Sequence, residues 1–184
     1  MPDSLLSPKT ASQWRKHLES LLDFFQGHTE GGGPTAVALQ RFFGYPEAEE
    51  LRKLDKTEGN GQCVALIMKY VSEIGPTTGW QPGPRVKEMK AGAIPKGSVI
   101  ATFWNGVYPN NNSGQHAAFY LGHDATGIKV AEQWYGTSPK QAVKVRGGTG
   151  VIRFTGISLP DDQSGDPPKM SNIGEYYYLV LDKR

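Results

Sequence analysis

Cysteine is nearly missing from this chain: Cys63 is the only one among 184 residues. A lone thiol forms no internal disulfide and cannot build a multi-thiolate zinc site, so neither device staples the fold. Long apolar runs are missing as well. The longest aliphatic stretch, Val64 to Met68, is far too short to span a bilayer. No charge sign dominates: 20 Lys and Arg against 18 Asp and Glu leave +2, too balanced to point to a nucleic acid. The N-terminal MPDSLLSPKTASQW carries no basic n-region, apolar h-region or small-residue cleavage site, which predicts no Sec signal. No GK[ST] follows the glycines of Gly27 to Pro34, so no phosphate loop is expected there.

What is present suits one compact domain with a modest extension. Hydrophobic residues make up 38% of the chain and aromatics 10%, enough for a core. The 23 Gly and 13 Pro are about a fifth of the residues, above the usual combined share of roughly 12%, and predict a turn-rich fold.

Residues 1–56 read as a polar, helical N-terminal extension packed on the domain. Trp14, Leu18, Leu21, Leu22 and Phe25 fall on one stripe of a helix from Gln13 to Phe25. Two more helical stretches are expected, Thr35 to Phe43 and Pro46 to Leu54. Residues 57–184 form the second part. EGNGQC (Glu58 to Cys63) is a turn-forming run that leads into a helix ending near Ile74, before Gly75-Pro76. From Trp80 onward the pattern is mostly β. Strands are expected at Ser98 to Phe103, His116 to His123 and Gly127 to Trp134, with AVKVR, VIRFTGI and EYYYLVL supplying three more. The HDATG turn predicts that the second and third strands form an antiparallel hairpin. The order gives an α+β domain.

Thiol hydrolysis needs a nucleophile, an imidazole to take its proton and a polar group to orient that imidazole. Cys63 stands at a predicted helix start, where free N–H groups and the helix dipole lower a thiol pKa. On base rates a free cysteine is a small buried hydrophobe, so its neighbours must overturn that reading. His116 is the best partner, because it opens a strand after a Gly/Asn-rich loop and can face a cleft. His17 sits in an amphipathic helix, His28 in a glycine loop and His123 in a turn. Glu132 and Gln133 lie where the hairpin partner returns past His116, and side-chain alternation lets only one of them face the ring. Glu132 is favoured, since a carboxylate also stabilises imidazolium, and Gln133 is the alternative. A zinc site from His116, His123 and Glu132 lacks HExxH or similar spacing, so no metal is expected. Trp104, Tyr108 and Asn110 to Asn112 would line the approach to His116 if their loop folds back.

Four blocks in order carry a resemblance: GQCVALIMKY; Trp80, Gly83 and Val86; SVIATFWNGVYPNNNSGQHAAFYLG; and IKVAEQWYG. They resemble the papain-like bacterial wall hydrolases, the NlpC-type peptidases and the cysteine, histidine-dependent amidohydrolase/peptidase group. The combination is more similar still to the small amidase effectors delivered by type VI secretion systems, the second effector family in particular. The likeness runs from about Gly59 to Phe154.

The resemblance implies an NlpC-type fold in which Cys63 is nucleophile, His116 base and the EQW block the source of the third member. It implies hydrolysis of a peptide bond in peptidoglycan stems or cross-links, with the D-alanyl–diaminopimelate bond preferred and the γ-D-glutamyl–diaminopimelate bond second. No cofactor is needed. The Cys63 N–H and one unidentified side-chain donor would hold the oxyanion. The implied partners are the secretion apparatus, the wall itself and a periplasmic immunity protein. Action in the periplasm of recipient bacteria follows, with no nucleic acid and no membrane insertion. Two other classes stand beside this reading: a cysteine hydrolase or transferase acting on a non-wall amide, and a non-catalytic wall-binding module.

Overall fold

A computed structural model describes residues 42–54, 57–111, 114–134, 144–146, 151–159 and 165–182. Among these, seven strands form one sheet: β1 (Trp80–Arg85), β2 (Val99–Thr102), β3 (Ala117–Asp124), β4 (Gly127–Glu132), β5 (Lys144–Arg146), β6 (Ile152–Arg153) and β7 (Tyr177–Asp182). Their spatial order is β1-β7-β2-β3-β4-β5, with β6 also pairing β4, and every pairing is antiparallel. The one α-helix among the described residues, α1 (Cys63–Tyr70), completes an α+β architecture.

Strand periodicity divides the core into two layers. Val99, Ala101, Ala117, Phe119, Ala131 and Val180 face α1, where they meet Leu66 and Ile67. The alternate residues, among them Ile100, Ala118, Tyr120, Val130 and Leu179, face the opposite side and pack on Val86, Met89 and Ile94. Covered on both faces, β2 is buried throughout, which is why its sequence VIAT reads as an unbroken run rather than an alternating one.

The expected β2, the β3–β4 hairpin and β7 appear within a few residues of their anticipated limits. Other elements differ, each for a physical reason. β1 is not among the expected strands, and its Pro82 and Pro84 lack the N–H that a ladder uses. It lies at the sheet edge with β7 as its strand partner, where missing N–H groups are tolerated. Pro46 to Leu54 is not an α-helix but a 3-10 helix at Ala48–Lys53, and its threefold turn puts Ala48 and Leu51 on the same buried side. The α-helix beginning at Cys63 stops at Tyr70. Val71 leaves helical geometry and a 3-10 turn, Ser72–Ile74, carries both Val71 and Ile74 into the core. VIRFTGI pairs only through Ile152 and Arg153, because the Thr155 and Gly156 amides donate to the buried Glu175 carboxylate instead of a strand.

Glu175 also binds the Lys87 ammonium at 2.9 Å. These donors outweigh its burial and hold its pKa at about 2, so it is a structural staple between the segments. It therefore sits in a 3-10 turn, Gly174–Tyr176, before β7 rather than in the expected strand. The helix expected at Gln13 to Phe25 and most of Thr35 to Phe43 lie outside the described residues. The end of that second stretch is extended: Phe42 bridges Leu181 and Gly44 bridges Ser98, and both Phe42 and Phe43 are buried. Residues 42–54 are thus woven into the sheet's two layers.

Candidate active site

The turn before α1 fixes where the thiol stands. Gly61 N–H donates to Glu58 O, and Gln62 N–H donates to Asn60 Oδ1. Gly59 and Gly61 take positive φ of 55° and 80°, and a Cβ on Gly59 would meet the Ala65 Cβ at 3.1 Å. Gln62 is the N-cap, and its carbonyl accepts from Ala65 and Leu66. Cys63 is then the first helical residue, half-buried, with its own N–H beyond the reach of the intrahelical ladder.

His116 sits immediately before β3 and is pinned through its backbone. Its N–H donates to Thr102 Oγ1 at 3.0 Å, and Thr102 N–H donates to His116 O at 3.0 Å. Glu132 reaches the ring by register. Phe119 opposes Ala131, so Glu132, the last residue of β4, stands at the end of the sheet where His116 leads into β3. The His116 Nε2 and Glu132 Oε2 atoms lie 2.6 Å apart, with Glu132 fully buried. That bond leaves Nδ1 for the thiol.

Burial opposes charge on His116. Hydrogen bonds and attraction from Cys63 and Glu132 prevail and push its pKa up to about 9. Burial likewise pushes the Cys63 thiol up. Its hydrogen bond with His116 and that residue's charge, helped by the Ala117 N–H and the Tyr108 hydroxyl, bring it below its usual 9.0. Both shifts favour a thiolate–imidazolium pair. Tyr108 completes the group with its hydroxyl 3.7 Å from Cys63 Sγ, and its ring is held edge-on by Trp80 and Phe103. Burial, followed by the nearby thiolate, raises the phenol pKa far above its usual value, so it remains a donor.

A family model described as domesticated amidase effector 2 matches residues 46–163. A curated relative from Salmonella typhi, a type VI secretion amidase effector 2 protein, is 40% identical over 136 residues. That match covers 74% of this chain and 96% of the relative. A solved structure of a type 6 secretion amidase effector 2 superposes with a TM-score of 0.61 at 38% identity, over 77% of this chain and 96% of that one. The chain belongs to the domesticated amidase effector 2 family. It is an enzyme, an amidase.

The other anticipated site residues of this amidase are placed as follows. Gln133 faces away from His116. Its Oε1 accepts from Glu58 N at 2.8 Å, and its Nε2 donates to Glu58 O and Gln62 O at 2.9 and 2.8 Å. Trp104 packs with Met170 and Tyr176 in a small separate cluster, and its indole N–H donates to Gly165 O. Asn110 is exposed and accepts a hydrogen bond from Thr77 Oγ1; Asn112 lies outside the described residues. His123 bonds the Tyr120 hydroxyl and Met89 O, across the strand face from α1. Among the described residues no group of three or more His, Cys, Asp or Glu side chains could hold a metal ion. No described helix is long and apolar enough to cross a membrane.

Thr102 is the residue that sequence reasoning missed. Its signal was its position at the end of the strand preceding His116, which pairing turns into a hydroxyl beside the His116 amide. Tyr108 was anticipated as a substrate contact; it stands beside the sulfur, a location that depends on packing against Trp80 and so is not written in local sequence.

Proposed function

We propose that this amidase hydrolyses a peptide bond of peptidoglycan by a cysteine mechanism, on a papain-like scaffold spanning residues 57–184 with residues 1–56 packed on it. The observation that carries the reading is the buried line from the thiol at the start of α1, through His116, to the Glu132 carboxylate. The papain-like scaffold rests on the same arrangement: a nucleophile at a helix N-terminus, packed on an antiparallel sheet that supplies imidazole and carboxylate.

The Cys63 thiolate attacks the amide carbonyl carbon, forming the carbon–sulfur bond as the carbonyl electrons move onto oxygen. The Cys63 N–H donates to that oxyanion, and the Tyr108 phenol is the second donor. An oxyanion on a carbon bonded to sulfur lies roughly 2.7 Å from that sulfur. A hydroxyl 3.7 Å from Sγ reaches it where the oxyanion forms on the Tyr108 side of the sulfur. His116 passes its proton to the leaving amine as the carbon–nitrogen bond breaks. It then takes a proton from the water that attacks the thioester, and Cys63 leaves as thiolate. Glu132 holds the ring and its charge throughout.

The relatives' names as secretion effectors support delivery of this chain by a type VI apparatus, with the wall of a recipient cell as its target and the recipient periplasm as its place of action. The D-alanyl–diaminopimelate cross-link is the preferred bond and the γ-D-glutamyl–diaminopimelate bond the second candidate. A producer then needs a periplasmic immunity protein that plugs the cleft. The test is digestion of purified Gram-negative peptidoglycan, with products separated and weighed. Conversion of cross-linked dimers to intact monomers supports the preferred bond, and truncated stems support the second. An unchanged wall, with the protein folded, overturns the reading.

A further inference from the structure

The carboxamide of Gln133 touches none of the proposed reacting groups, yet it is bound at both ends. The side chain is fully buried, and all its hydrogen bonds run to the main chain of one turn: Glu58 N, Glu58 O and Gln62 O. Those atoms bracket the turn that presents the nucleophile, since Gln62 caps α1 and Cys63 follows it. The turn is tied at its other side to its own helix, where the Tyr70 hydroxyl donates to Glu58 Oε1 at 3.4 Å and Lys69 pairs with Oε2 at 3.5 Å. Gln133 is the next residue after Glu132, which holds His116. Consecutive side chains at the end of β4 thus point to opposite faces, one to the imidazole and one to the turn bearing the thiol.

We infer that Gln133 is a positioning residue that locks the Glu58–Gln62 turn onto the end of β4 and so sets the separation of Cys63 from His116. An apolar side chain of the same length fills the space but leaves the Glu58 N–H without its acceptor and removes one donor each from Glu58 O and Gln62 O, which keep only main-chain amides of the turn and α1. The turn then shifts, and the thiol loses its alignment with the ring. Glutamate is no substitute, because a carboxylate would face the two carbonyl oxygens with nothing to donate.

The inference rests on Cys63 being the nucleophile, and the test separates the two. Iodoacetamide alkylation of Cys63 is followed against pH, and kcat and KM are measured on a wall peptide, for wild type, Gln133→Met and Ser98→Ala. Ser98 supplies the comparison: it is buried and donates to Pro95 O at 2.8 Å, outside the site. Gln133→Met is expected to lower kcat about 10- to 100-fold with little change in KM, and to move the alkylation profile toward that of a free thiol at higher pH. Ser98→Ala is expected to move neither. An alkylation profile in Gln133→Met identical to wild type, or an equal shift in Ser98→Ala, overturns the inference alone. A wild-type Cys63 that alkylates like an ordinary thiol overturns the nucleophile reading and this inference with it. Where Gln133→Met does not fold, amide exchange of the wild type decides: the Glu58 N–H is expected to be protected like the β4 amides, and exchange at the rate of an exposed turn overturns the lock.

Discussion

His116 is where the charges of the site meet. Its pKa is raised from 6.5 to about 9 in the folded chain, so the stability that its charge contributes is complete below about 6.5 and is lost as pH rises through about 9. Cys63 is shifted the other way, so its contribution is complete above 9.0 and fades as pH falls through its lowered value. The thiolate–imidazolium form occupies the window between the two limbs, and kcat/KM is expected to be bell-shaped. Glu132→Gln removes the carboxylate that favours imidazolium. It should move the alkaline limb to lower pH and reduce kcat about 100-fold, which a pH–rate series on the two proteins measures. Tyr108→Phe keeps the ring between Trp80 and Phe103 and deletes only the donor. It should cost about 100-fold in kcat with little change in KM; an unaltered kcat would remove Tyr108 from the oxyanion site. The proximity of Cys63, His116 and Glu132 was legible in the sequence because helix start, strand start and hairpin return are local signals. The tasks of Gln133 and Tyr108 were not, because each touches residues far away in the chain.

Elements built from short-range chemistry were likewise legible. The β3–β4 hairpin follows from its turn, and β2 from its apolar run. Misread elements are those whose backbone is claimed by a distant partner or an edge. Glu175 takes the amides that would extend β6, and β1 keeps its prolines because it lies outermost. The segment 42–54 is the strongest case, since its helical pattern ends in extended Phe42 and Phe43 and a 3-10 turn. Phe42, Phe43 and Leu51 are each buried, and each contributes about 1.5–3 kcal/mol. Their sum approaches the roughly 5–15 kcal/mol that holds an ordinary domain together. A chain beginning at residue 57 should therefore lose cooperative unfolding in urea. A sharp transition at the full-length midpoint would show that the catalytic part needs nothing before it.

At the scale of the whole molecule, the sheet is a divider with one face given to α1 and the other to a second apolar layer. The proposed site lies where α1 begins and β3 and β4 meet. There, main-chain bonds fix His116, the strand register delivers Glu132, and a glycine turn delivers Cys63. Each reactive group stands on or beside a regular element, which keeps the site preorganised. The central claim is that Cys63 carries the acyl group of the cleaved bond. The most direct test is acid quenching of the amidase during turnover of a wall peptide, followed by intact mass and mapping of the adduct. The account predicts a thioester on Cys63 with the mass of the acyl fragment, and a folded but inert Cys63→Ala protein. Release of the same products by Cys63→Ala, with no adduct on the wild type, would contradict it.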